Sequence, residues 1–137
     1  MTEPVPAALR GLVRQRAGFR CEYCLVHEED STYSHEVDHI ISRKHGGETR
    51  EDNLAWACFV CNRLKGAIIA SIDLETGKLA RLYHPRIDSW IQHFRLDGPR
   101  IVPLTDIGRV TEHILRLNHP DSVQLRKDLI AQRRYPL

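Results

Sequence analysis

Apolar and polar residues repeat with different periods along the chain, and the changes of period predict its elements. Residues 7–17, AALRGLVRQRA, place Leu9, Leu12 and Val13 on one side of a helical repeat with arginines around them. This predicts an amphipathic helix closed by Gly18. The run Glu36-Val37-Asp38-His39-Ile40-Ile41 sets Val and Ile around two polar residues, which predicts a short strand. Gly46-Gly47 supplies the backbone freedom a reversing loop needs. Asn53-Leu54-Ala55-Trp56 can return as a second strand. From Phe59 to Ala70 the period changes again, with Val60, Leu64 and Ile68 at helical spacing. The order is strand, long loop, strand, helix.

Past Gly66 the pattern is weaker. Asp73 to Lys78 reads as a turn, followed by a strand at Leu79–Tyr83 and a short helical piece around Trp90. Asp97-Gly98 suggests a second hairpin, and Pro99 is expected to limit its pairing. Ile107, Val110, Ile114 and Leu117 predict a helix over 106–117, stopped by Asn118 and Pro120. A last helix over about 121–134 carries Val123, Leu125, Leu129 and Ile130 and ends in Arg133-Arg134. The class expected is α+β. The expected organisation is an N-terminal helix in 1–20, a compact unit in 21–70, and a C-terminal α/β extension in 71–137 that packs on it. Packing on the unit, widening a binding face and dimerising are all open to the extension.

The cysteines change the picture most. All four fall in two knuckles, Cys21-x-x-Cys24 and Cys58-x-x-Cys61. Two such knuckles can supply four thiolates to one tetrahedral zinc. The alternatives are disulfides or unrelated buried thiols. Disulfides need an oxidising compartment, and the N-terminus MTEPVPAALRGLVRQRAG shows no apolar stretch of a secretory signal. A cytoplasmic protein is therefore expected. With no run of about 18 apolar residues, no membrane span is expected either. A chain of 137 residues with 42% hydrophobic content allows one ordinary domain with a modest core.

Formal charge is only +2, and a zinc tetrathiolate would itself carry −2, so only local charge can point to nucleic acid. Arg43, Lys44 and Arg50 lie on the loop between the strands, and Arg63 and Lys65 on the following helix. These are the candidate phosphate contacts. Arg10, Arg14, Arg16 and Arg20 make the entry to the first knuckle basic, as phosphate contacts or as a solvated helix face. Glu28-Glu29-Asp30 is an acidic loop unfriendly to DNA. His45 reads as a loop residue, and His84, His93, His113 and His119 as structural or surface. Asp38 at the end of the first strand and Asn62 on the helix can share a metal, with His39 facing the same cleft.

The succession Cys-x-x-Cys, Asp38-His39-Ile40, Gly46-Gly47, Asn53-Leu54, Cys58-x-x-Cys61-Asn62 and Lys65-Gly66 resembles the HNH endonuclease family in its four-cysteine zinc form. The resemblance implies a ββα-metal finger. It implies His39 as general base, Asp38 and Asn62 as ligands of a catalytic divalent ion, and Asn53 as the residue that pins the loop and helps orient the histidine. The signature here reads His-Asn-Asn, and Ser42 stands where many members have proline. Residues 94–98 and 104–109 also resemble the tails of small stand-alone bacterial HNH proteins.

The implied activity is divalent-metal-dependent hydrolysis of DNA phosphodiester bonds, with structural Zn2+ and catalytic Mg2+ or Mn2+. The residue types suit it. A histidine with a pKa of about 6.5 can take a proton from water at neutral pH. A hard cation on two oxygen ligands keeps open positions for phosphate. The rival is a non-catalytic zinc-ribbon module that only binds nucleic acid or protein. Asp38, His39 and Asn62 discriminate, because a binding module has no use for that set.

Overall fold

The structure is a computed structural model that describes residues 4–136. Helix α1 (Ala7–Arg16) leads into the first knuckle. Strands β1 (Glu36–His39) and β2 (Leu54–Ala57) pair antiparallel, with Asp38 opposite Ala55 and His39 opposite Leu54. Helix α2 (Phe59–Lys65) follows directly. The expected strand, loop, strand, helix order is therefore present.

Helix α2 ends five residues before its expected limit at Ala70. Gly66 takes φ +50° and its amide caps the carbonyl of Asn62. The chain then straightens into β3 (Ala70–Ile72), which pairs with β4 (Leu79–Arg81). The buried face of α2 also differs from the one that Val60, Leu64 and Ile68 predict. Val60 is 48% and Ile68 39% exposed, while Cys61 and Lys65 are buried. The cause is the second knuckle. Cys58 caps the helix by accepting from the Cys61 amide at 3.3 Å. Cys61 must point at the other cysteines, and Lys65, one turn on, follows it inward.

Helix α3 (Trp90–His93) runs into a hairpin of β5 (Phe94–Asp97) and β6 (Arg100–Pro103). Pro99 falls in its turn after Gly98, which has φ +56°, so the missing amide costs the ladder nothing. Helices α4 (Asp106–Leu115) and α5 (Pro120–Ala131) follow. Pro120, expected only to stop the preceding helix, is also the first residue of α5, where its lack of an N–H is harmless.

The C-terminal elements share one core with the knuckles. Cys21, Tyr23 and Cys61 belong to the same buried cluster as Phe94, Ile101, Val110, Leu129 and Tyr135. The Tyr135 hydroxyl donates to the Cys24 carbonyl at 2.8 Å, and the Trp90 indole donates to the Tyr23 carbonyl at 2.9 Å. On the other side of the hairpin, Val13 of α1 packs on Leu54 and Trp56. The β1–β2 hairpin is thus clamped from both sides, and the loop at its end is held against a rigid base.

Candidate metal centre and catalytic groove

The four cysteine sulfurs lie within 4.8 Å of one another, are buried, and form no disulfide. Cys24 Sγ and Cys58 Sγ are 3.7 Å apart. A tetrahedron with zinc–sulfur arms of 2.3 Å has edges of about 3.8 Å. The backbone shapes both knuckles, since the amides of Tyr23 and Cys24 each donate to Cys21 Sγ at 3.4 Å. The Cys21 and Cys58 sulfurs and burial push Cys24 up from the usual thiol value, the other three sulfurs and burial push Cys61 up, and hydrogen bonds from the same neighbours hold Cys58 well below it. Four thiolates are therefore compatible with this cluster only when a cation neutralises them. The donor set, spacing and burial are consistent with Zn2+.

One turn of α2 away, the end of β1 meets the helix across a groove of about 320 Å³. Asp38, His39, Arg43, Lys44, Asn62 and Gly66 are among the residues that line it. The predicted Asp38, His39 and Asn62 are thus brought together. Consecutive strand residues point to opposite sides. Asp38 turns under α2 into the interior, and His39 turns to the loop.

Asp38 is 3% exposed and both its oxygens are engaged. The Tyr23 hydroxyl donates to Oδ2 at 2.6 Å, and the Lys65 ammonium donates to Oδ1 at 3.1 Å. Lys65 also donates to the His39 carbonyl at 3.0 Å. Burial raises the Asp38 carboxyl above its ordinary value, against the pull of Lys65 and Tyr23. For His39 the direction is opposite. Burial, then the nearby Arg43 and Lys65 cations, hold the imidazole below its usual value. Its Nε2 lies 2.9 Å from Thr49 Oγ1 and 3.3 Å from Arg43 Nε.

Asn53 stitches the loop closed. Its Oδ1 accepts from the Ile41 amide at 2.8 Å, and its Nδ2 donates to the carbonyls of Ile41 and Glu48, each at 2.9 Å. Gly47 lies against this junction, and a Cβ there would sit 1.7 Å from the Ile41 carbonyl oxygen. Only glycine permits that approach.

The basic candidates separate. Arg43 and Lys44 line the groove, with Arg43 turned onto His39 and Thr49. Lys65 is corrected: expected among the phosphate contacts, it is 1% exposed and serves as the internal counter-ion of Asp38. Arg50 is exposed beside Glu48 and Asp52, at 3.6 Å from each, away from the groove lining. Arg63 is exposed, lies over the Phe59 ring at 5.9 Å and lines a neighbouring groove with Arg116 and His119. The arginines of α1 and its exit also have internal work. Arg14 pairs with Glu28 at 2.8 Å, Arg16 donates to the carbonyls of Glu51 and Leu54, and Arg20 donates to that of Leu25. Arg10 lies over the Trp56 ring at 5.0 Å. The acidic loop is partly neutralised, because Arg134 pairs with Asp30 at 2.7 Å and Glu29 at 3.3 Å.

Tyr23 and Thr49 are the site residues the sequence did not reveal. Tyr23 sits inside a knuckle and Thr49 in a polar loop, and neither position carries a periodic or spacing signal.

No curated protein and no solved structure matches the chain. The family model described as HNH endonuclease matches residues 21–67, the stretch holding both cysteine knuckles, the β1–β2 hairpin and α2. Residues 21–67 are therefore the stretch similar to an HNH endonuclease domain, and its four cysteines are placed to hold a metal.

Proposed function

We propose that this protein is a divalent-metal-dependent DNA endonuclease, with a structural zinc on Cys21, Cys24, Cys58 and Cys61. Residues 21–70 act as the catalytic finger, with 1–20 as a bracing helix and 71–137 as an extension that holds the finger's back. The observation that carries the reading is the convergence of Asp38, His39 and Asn62 on one groove that Arg43 and Lys44 also line.

The residues fit a catalytic cation. Each Asp38 oxygen accepts one hydrogen bond and keeps a second lone-pair direction. The Asn62 position borders the same groove, and hard oxygen donors suit Mg2+ or Mn2+. Such a cation, held by Asp38 and Asn62, supplies Lewis acidity at the phosphate and charge for the departing 3′-oxygen. Lys65 beside Asp38 opposes a second positive charge, so binding is weak and exchangeable. Zinc on four cysteines has no open position and takes no part in the chemistry.

His39 takes the proton from the attacking water. Its lowered pKa keeps it neutral at pH 7, the form a general base needs. Arg43 and Lys44 hold the phosphate against the groove. Asn53 keeps the loop closed over the histidine.

One observation favours the non-catalytic reading. Both Asp38 oxygens already have partners, as a purely structural carboxylate would. Plasmid cleavage with added Mg2+ or Mn2+, run beside His39→Ala, separates the two. A nuclease cuts only as wild type, and a binding module cuts as neither.

A further inference from the structure

His39 does not stand free in its groove. Its Nε2 faces Thr49 Oγ1 at 2.9 Å and Arg43 Nε at 3.3 Å, and Arg43 Nη2 donates to the same Thr49 oxygen at 2.9 Å. The three side chains close a triangle, and the donor inventory fixes how it works. A guanidinium only donates. The Arg43–His39 contact therefore requires an unprotonated Nε2, which places the proton of the neutral ring on Nδ1. In that state Nε2 is covered by donors and Nδ1 carries hydrogen, so neither nitrogen offers a lone pair to water.

A phosphate oxygen is a stronger acceptor for a guanidinium than a neutral imidazole nitrogen. An arriving phosphodiester draws Arg43 off Nε2. The Thr49 hydroxyl remains beside Nε2, and a hydroxyl both donates and accepts. It can therefore receive an Nε2–H as readily as it donates to a bare Nε2. The ring proton moves from Nδ1 to Nε2 through solvent, with no net change in ring protonation, and the Nδ1 lone pair becomes available.

The backbone that carries Thr49 is fixed by the loop stitch. Asn53 Nδ2 holds the carbonyl of Glu48, the residue before Thr49, at 2.9 Å, and Gly47 packs on Ile41. This gives Asn53 a physical route to the histidine, which runs through Glu48 and Thr49.

Resting on the endonuclease reading, we propose that Thr49 is the positioning residue of His39, holding the ring in place while Arg43 exchanges it for phosphate. Serine should replace threonine, because it keeps the hydroxyl. Valine should not, because it keeps the shape and loses the oxygen.

The test uses full-length, zinc-loaded wild type, Thr49→Val and Thr49→Ser, with zinc content and circular dichroism confirming the fold. Nicking of supercoiled plasmid gives kcat and KM. Thr49→Val should lose kcat by about tenfold or more with little change in KM, and Thr49→Ser should stay within about threefold of wild type, since full loss of a general base costs ~10²–10⁴-fold. In parallel, long-range proton–nitrogen NMR of His39 reads the tautomer, free and with a short DNA duplex in the absence of added divalent ion. Wild type should show Nδ1–H when free and move toward Nε2–H with duplex, whereas Thr49→Val, with Arg43 still on Nε2, should show Nδ1–H when free and only a mixture with duplex. A folded Thr49→Val protein with wild-type kcat, or with wild-type tautomer behaviour, overturns the proposal. If wild type never cuts with any divalent ion, the endonuclease reading fails by itself, and the tautomer comparison still decides whether Thr49 positions the ring.

Discussion

Replacing Asn53 with alanine removes three hydrogen bonds at once: one from the Ile41 amide and two to the Ile41 and Glu48 carbonyls, all 2.8–2.9 Å long. Asn53 is 9% exposed, so water replaces these partners poorly. A net bond contributes about 1 kcal/mol, and a backbone group left without a partner adds a further penalty, so the loss should be about 2–4 kcal/mol. Against a typical total of about 5–15 kcal/mol the protein should stay folded. The damage should concentrate where the loop joins β1. Hydrogen exchange at the Ile41 amide should rise about 30-fold or more, the equivalent of 2 kcal/mol, and the urea midpoint should fall. Asn53→Asp is a sharper probe. It keeps the acceptor for the Ile41 amide but points carboxylate oxygen at two carbonyls, so it should be at least as harmful as alanine. If Asn53→Ala changes neither Ile41 exchange nor the urea midpoint, the loop is not held by this side chain. The route from Asn53 to His39 would then fall with it.

Three further outcomes follow from the same geometry. Protein purified without added zinc should carry about one zinc per chain, and stripping it should unfold at least residues 21–66, because the sulfurs sit inside the shared core; a native circular dichroism spectrum in metal-free protein would contradict this. The cleavage rate should rise with pH through an apparent pKa below the ordinary imidazole value and be level by neutral pH, because the base must be neutral and burial with two nearby cations favours the neutral ring; a rate still climbing above pH 7 would refute that assignment. Log affinity for DNA should fall with log salt, and Lys44→Ala should reduce the slope by about one phosphate's worth; an unchanged slope would remove Lys44 from the interface.

The residues from Cys21 to Gly66 were legible in sequence because their constraints are local. Four cysteines in two knuckles, a Gly-Gly turn and two short apolar runs each leave a positional mark. The rotation of α2 was not legible from its apolar spacing, because metal-site geometry overrode it and drew Cys61 and Lys65 inward. Lys65 misled for the same reason. A lysine beside an arginine on a short helix looks like a phosphate contact, and only the three-dimensional position of Asp38 shows it to be a buried counter-ion. Pro99 and Pro120 were read as obstacles but occupy a turn and a helix start, where a missing amide is free. Tyr23 and Thr49 act through side-chain hydrogen bonds to Asp38 and His39, 15 and 10 positions away, which no periodicity records.

The most direct test of the account is the cleavage of supercoiled plasmid by zinc-loaded protein treated with a mild chelator and then given Mg2+ or Mn2+, with His39→Ala carried through the same steps. The chelator should abolish cutting while zinc content and fold persist, and the divalent ion should restore it to wild type alone, with His39→Ala slower by ~10²–10⁴-fold yet still binding DNA. A His39→Ala protein that cuts as fast as wild type, or a wild type that never cuts with any divalent ion, would contradict the account.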